Sequence, residues 1–169
     1  IGHHLQTPEQ KKDMLATYGT DAKAAGVMDF VSAWYCKAAS YIQGTEIKVA
    51  FVSTNSITQG EQVGILWRSL MQRSPVHIHF AHRTFRWTSE ARGKAAVYCV
   101  IIGFGATEAS SKVIFEYDSP DGEPHAVVAN RINAYLVDAP WTLLDNRSKN
   151  LFGMPEMMYG SKPTDDGNF

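Results

Sequence analysis

Apolar residues recur at helical spacing over residues 27–42, where Val27, Phe30, Val31, Trp34, Ala38, Tyr41 and Ile42 form one stripe that Gly44 ends. The next run, 47–52, is short, β-branched and without polar alternation, the pattern of a central strand covered on both faces. A helix over 61–72 follows, closed by Ser74 and Pro75. Residues 76–81 and 95–104 read as two strands joined by a polar loop, which gives the sheet an antiparallel end. Alternation over 112–117 predicts another strand, and after the turn Ser119-Pro-Asp-Gly122 the segment 125–129 pairs back to it. Upstream, Thr7-Pro-Glu-Gln10 is a capping box with proline at the first helical position, so a helix starts there and ends near Gly19. Helix–strand–helix–strand is the rhythm of an α/β sheet. Beyond Asn130 periodicity fades and proline and glycine accumulate, which predicts an irregular arm that packs on the domain or leads to another.

Composition narrows the class. The chain has 169 residues, 44% hydrophobic and 20% charged, enough for one domain with a real core. A formal net charge of −1 excludes nucleic-acid binding through bulk positive charge and leaves only a local patch. The two cysteines, Cys36 and Cys99, lie far apart and read as reduced thiols of a cytoplasmic protein. No run of 18 apolar residues and no signal peptide is present, so a membrane or secreted home is not expected. The chain opens at Ile1 without an initiator methionine and stops at Phe169 without a polar tail, and it is expected to be cut from something longer.

The candidate chemistry sits where strands end. Arg83, Arg86, Arg92 and Lys94 face one acid, Glu90, beside Phe85 and Trp87. Such a loop suits a flat, negatively charged ligand, with stacking worth about 1–3 kcal/mol per base; the plainer alternative is a solvated hairpin whose aromatics tuck into the core. Just past the 47–52 strand, Thr54, Asn55 and Ser56 offer hydroxyls and an amide, either to a ligand or as backbone caps. His77 and His79 share one face of a regular strand while His82 points the other way. With no cysteine or carboxylate at ligand spacing, no metal site is expected. Asp29 and Glu46 are single acids without an obvious partner. No glycine-rich phosphate loop, Gly-x-Ser-x-Gly motif or Cys/His nucleophile arrangement occurs.

The ordered series resembles the N6-adenine DNA methyltransferases, above all the methylase domain of large single-chain type II restriction–modification enzymes. It consists of the 27–42 helix, the 47–53 strand with Thr54-Asn-Ser-Ile-Thr-Gln-Gly60, a helix, a strand, Arg83-Thr-Phe-Arg-Trp87 and Lys94-Ala-Ala-Val-Tyr-Cys-Val-Ile-Ile-Gly103. The resemblance implies an α/β fold: a partial Rossmann-like, S-adenosylmethionine-dependent sheet, parallel with an antiparallel C-terminal hairpin, plus an irregular C-terminal arm. Residues 1–118 would be the C-terminal half of the catalytic domain. Residues 119–169 would lead toward a target-recognition domain, a linker that Tyr135-Leu-Val-Asp-Ala-Pro140 and Asp145-Asn-Arg-Ser148 fit.

In that family a flipped adenine is oriented by an Asn/Asp-Pro-Pro-Phe/Tyr tetrapeptide. Neither this tetrapeptide nor the cofactor loop is in the chain; the family's distance puts the tetrapeptide immediately before Ile1. What carries over is Phe85, against the flipped base, and Asn55, Thr54 and Ser56, lining its pocket. Arg83, Arg86, Arg92 and Lys94 are the expected contacts to the DNA backbone. The expected partner is double-stranded DNA and the cofactor of the full-length parent is S-adenosylmethionine, while the fragment alone is expected to be inactive. It is also expected to expose a sheet edge through which copies associate. The competing readings are a non-catalytic nucleic-acid-binding module and an interaction domain.

Overall fold

The computed structural model describes residues 1–19, 25–87 and 97–144. Its first helix, α1 (Pro8–Tyr18), starts as the capping box requires: the Gln10 N–H donates to Thr7 Oγ1 at 3.3 Å and the Thr7 N–H donates to Gln10 Oε1 at 3.0 Å. It ends at Gly19, whose φ of 61° a side chain would resist. Arg73 closes that end, its Nη1 donating to the carbonyls of Thr17 and Tyr18 at 3.1 Å each. Helix α2 spans Val31–Tyr41, and α3 spans Gly60–Arg73.

The buried side of α2 carries Ser32, Ala33, Tyr35 and Ala39; of the expected stripe, Ile42 is buried and Phe30, Val31 and Ala38 pack partly against the core. Trp34 and Tyr41, seven residues apart and so on one face together, are exposed. The small Ser32 and Ala39 let the helix approach its neighbours closely, and Tyr35 enters the gap between them.

Five strands form one mixed sheet: β1 (Lys48–Thr54), β2 (His77–Trp87), β3 (Val97–Gly105), β4 (Lys112–Tyr117) and β5 (Pro124–Ala129), in the order β1-β3-β2-β4-β5. β3 runs antiparallel between β1 and β2, β4 lies parallel to β2, and β5 returns antiparallel along β4. The α/β sheet with both parallel and antiparallel pairs is the expected class. Two details differ. Among the described residues β1 is an edge strand, paired only with β3, and Val52 on its outer side is 47% exposed. Continuous apolarity therefore does not place β1 between two neighbours here. β2 also runs on through Arg83–Trp87, which the sequence placed in a loop: Phe85, Arg86 and Trp87 pair with Cys99, Tyr98 and Val97. The β-branched and aromatic residues of that segment prolong the ladder, and shifts of register after Ile78 and His82 accommodate them.

The core lies between the helices and one face of the sheet. Tyr35 stacks on Phe104 with ring centroids 5.7 Å apart and meets Phe51 at 5.0 Å and Trp67 at 6.4 Å. Ile78, Ala81, Val100, Ile102 and Ile114 complete it from the sheet. After β5 the chain returns to this core, where Ile132, Ala134 and Leu136 are buried and Trp141 meets Trp67 edge-on at 5.7 Å. On the opposite face Phe80 covers Gly103, His79 covers Gly105, and Val52 and Val128 are open to solvent.

Candidate functional site

Cys99 of β3 pairs with Thr54 on one side and Phe85 on the other, so the ends of β1 and β2 fall in one row of the sheet. That row brings the sequence-derived site residues to the same end of the fold. Past Thr54 the chain enters a 3-10 turn, Asn55–Thr58, pinned from beneath by the fully buried Ile57, whose carbonyl accepts from Trp67 Nε1 at 3.4 Å. Below it, Tyr35 Oη and the buried Ser53 Oγ share a hydrogen bond of 2.9 Å; burial holds the Tyr35 phenol well above its ordinary range, so it stays neutral.

The hydroxyls of Thr54 and Ser56 do not cap the turn. Ser56 Oγ donates to Asp29 Oδ2 at 2.6 Å, Thr54 Oγ1 lies 3.4 Å from the same oxygen, and the two hydroxyls are 3.0 Å apart. Asp29, which looks isolated in sequence, is the acceptor that organises them. The Asn55 carbonyl takes the Thr58 hydroxyl at 2.8 Å. Its side-chain amide has no hydrogen-bond partner among the described residues and is left open to a ligand.

Phe85 is half-buried in an aromatic group. It stacks on Tyr117 (5.5 Å, 22°), is tilted against Trp87 at 6.3 Å, and meets the edge of His82 at 6.4 Å. His82 in turn lies flat on Phe115 (4.2 Å, 7°) and shares a 2.8 Å hydrogen bond between Nδ1 and Tyr117 Oη. Partial burial lowers the His82 pKa and favours the neutral ring. Phe115 and Tyr117, missed as site elements in the sequence, carry one usable signal: spaced two apart on a strand, they share a face. Trp87 is not core, being 44% exposed.

The register shift after Ile78 changes the expected placement of the histidines. It resets the alternation, so that His79 over Gly105 and His82 opposite Ile101 stand on the same face, away from the helices. His77 Nδ1 pairs with Glu108 Oε2 at 2.7 Å and His79 Nε2 reaches the Thr107 carbonyl at 2.8 Å. Among the described residues no group of three His, Cys, Asp or Glu side chains converges to hold a metal ion.

Arg83 and Arg86 are exposed and paired, with Glu116 at 3.1 Å and Asp121 at 3.2 Å, and Arg86 also lies 5.9 Å from the centre of the Tyr98 ring. Exposed pairs of this kind are worth about 0.2–1 kcal/mol, so a phosphate could take over either arginine at little loss. Arg92 and Lys94 lie outside the described residues, as do Glu90 and the segment from Asp145 onward. No described helix is long and apolar enough to cross a membrane.

Comparison with known proteins places this arrangement. The family of the MmeI DNA-methyltransferase domain matches residues 1–116. A curated relative, DNA methyltransferase A of Bacillus subtilis (strain 168), is 39% identical over 167 residues, covering 99% of this chain and 18% of its own length. The solved structure of the type IIL restriction–modification enzyme MmeI in complex with DNA shares 53% identity at a TM-score of 0.91, over 100% of this chain and 22% of that one. The chain thus spans about a fifth of the length of the proteins it matches. It belongs to the MmeI family of DNA-methyltransferase domains.

Proposed function

We propose that this chain is the base-holding half of a site-specific adenine-N6 DNA methyltransferase from a restriction–modification system, working on an adenine flipped out of the duplex. The observation that carries this is the row Thr54–Cys99–Phe85, which sets a half-buried aromatic ring and an Asn55 amide without a partner among the described residues at one end of the sheet. Phe85, backed by Tyr117, offers a stacking surface for the base, and Asn55 with Thr54 and Ser56 lines the opposite wall. Arg83, Arg86, Arg92 and Lys94 would grip backbone phosphates, making affinity salt-dependent but not sequence-specific. Sequence choice would belong to a recognition domain reached through residues 119–169, with residues 1–118 forming the catalytic portion.

The methyl donor on this reading is S-adenosylmethionine. The described residues form no glycine-rich loop between a strand and a helix that would hold it. Its binding, and the tetrapeptide that orients the amino group, are assigned to polypeptide preceding Ile1. On the same reading the isolated chain is inactive, the working enzyme is cytoplasmic, and double-stranded DNA is its partner. Self-association of the isolated chain would follow from the single-sided pairing of β1 and its exposed Val52.

The test is methylation by the full-length protein. Duplex DNA carrying its site, incubated with S-adenosylmethionine and digested to nucleosides, should yield N6-methyladenine by mass spectrometry. Phe85→Ala should lower turnover by about 10- to 100-fold through lost orientation of the base and reduce the fluorescence rise of 2-aminopurine at the target position. Methylcytosine as the product, or unchanged turnover in Phe85→Ala, would refute the assignment.

A further inference from the structure

Asp29 stands two residues ahead of α2, where an aspartate ordinarily accepts from the free N–H groups of the first helical turn. Here the N-cap position is Phe30 and no side chain caps the helix. The Asp29 carboxylate turns instead to the end of β1. Its Oδ2 takes the Ser56 hydroxyl at 2.6 Å, a length typical of a charge-assisted O–H···O⁻ bond, with Thr54 Oγ1 at 3.4 Å. Its Oδ1 faces the chain entering the fold, since a Cβ built on Gly2 would lie 3.6 Å from it. The contacts around it tie the same segments together. The Phe30 N–H donates to the Ile1 carbonyl at 3.0 Å, and the Asp29 N–H donates to Gln62 Oε1, in the first turn of α3, at 3.4 Å. Four segments distant in sequence therefore meet around Asp29 and Phe30: the Thr54–Ser56 corner through the carboxylate, and Ile1 and the start of α3 through the backbone N–H groups of Phe30 and Asp29.

We propose that Asp29 is a positioning residue for base recognition: by clamping Ser56 and Thr54 to the start of α2, it fixes the Thr54–Ser56 wall relative to Phe85, the two walls between which the target base is held. This rests on the reading under Proposed function, in which Thr54, Asn55 and Ser56 line the wall opposite Phe85. Asp29 itself touches neither base nor methyl donor. It acts through Ser56 and Thr54. Its loss lets the two walls shift relative to one another, and misplacement on the order of 1 Å lowers a rate by about 100-fold while leaving most binding contacts intact.

The experiment uses the full-length enzyme with Asp29→Ala, Asp29→Asn and Ser56→Ala, read by single-turnover methyl transfer, KM for DNA, S-adenosylmethionine affinity and thermal melting. Asp29→Ala should lower kcat by about 10- to 100-fold with KM, cofactor affinity and Tm close to wild type. Asp29→Asn keeps an acceptor oxygen in place and should restore most of the rate. Ser56→Ala should reproduce the loss, and adding Asp29→Ala to it should lower the rate little further. If Asp29→Ala does not fold, the contrast between a near-normal rate in Asp29→Asn and the loss in Ser56→Ala carries the test. Wild-type rate in Asp29→Ala, additive losses in the pair, or a loss spread equally over kcat, KM and Tm would each overturn the proposal. Wild-type enzyme that forms no N6-methyladenine would overturn the functional reading and this inference with it; normal wild-type turnover with an indifferent Asp29 overturns the inference alone.

Discussion

Replacing Gly103 by alanine should destabilise the fold because of one ring. Gly103 sits in the middle of β3, pairs with Ala50 and with Phe80, and does not have positive φ, so its backbone accepts a side chain. A Cβ there would overlap three atoms of the Phe80 ring, all well inside van der Waals contact. The ring must swing away from the sheet, and overpacking of this kind costs about 1–3 kcal/mol. Alanine in place of glycine within a strand returns about 0.5–1 kcal/mol by restricting the unfolded chain. The net expectation is a loss of about 0.5–2 kcal/mol, or about 1–8 °C in Tm for a chain of this size. With Phe80→Ala in the background the obstruction is gone, and Gly103→Ala should then stabilise by about 0.5–1 kcal/mol. Urea unfolding of the 169-residue chain, followed by tryptophan fluorescence and far-UV circular dichroism over the full cycle of four proteins, measures the coupling. The reversal of sign is the diagnostic. If Gly103→Ala has the same effect in both backgrounds, Phe80 does not enforce the glycine and the placement of that ring over β3 is wrong.

Two further outcomes follow from buried polar groups. Tyr35→Phe removes the partner of the buried Ser53 hydroxyl and should cost about 1–2 kcal/mol in urea unfolding, with much of it recovered by adding Ser53→Ala; no recovery would refute the pairing. His82 has a pKa lowered from 6.5 by burial, so its protonation opposes folding. The stability its neutral form supports is complete above the unfolded value and is lost as pH falls through and below it. Melting between pH 7.5 and 5.5 should show this decline, and His82→Phe should flatten it; an unchanged slope in the variant would assign the decline elsewhere.

What could be read in the sequence was what depends on near neighbours. The Thr7/Gln10 box, the stop at Gly19 and the β4–β5 hairpin around Ser119-Pro-Asp-Gly122 are all decided by residues within one turn of each other, and all lie where the pattern put them. The facing of α2 was legible only in part: Phe30, Val31, Ala38 and Ile42 pack on the core, but Trp34 and Tyr41 do not. Trp34 and Tyr41 are more apolar than Ser32 and Ala39, and only the presence of the sheet beneath decides that the small residues go in. In the site, Thr54–Ser56 and Phe85 were visible as polar and aromatic groups at strand ends. Asp29 was not, because its partners lie 25 and 27 residues away and nothing local marks the approach. The face of His82 was misassigned because strict alternation holds only until a ladder slips, and β2 slips between Ile78 and Phe80.

The remaining mismatch carries its own physical content. A run such as 47–52 has the composition of a strand with neighbours on both sides, yet β1 has a partner on one side among the described residues and Val52 stands open. Trp34 and Tyr41 on α2, the helix immediately before that strand, repeat the discrepancy: large apolar rings facing solvent. A sequence is selected for the burial it experiences in the whole protein, whereas exposure here is that of a chain spanning about a fifth of its matched relatives. Apolarity exceeds burial, among the described residues, along the outer edge of β1 and the outer side of α2. The corner that Asp29 holds, Thr54–Ser56, is the end of that same strand. A strand added along β1 would therefore meet the Asp29 carboxylate's network at its end, and the geometry of the site would be shared between this chain and the polypeptide that completes its sheet.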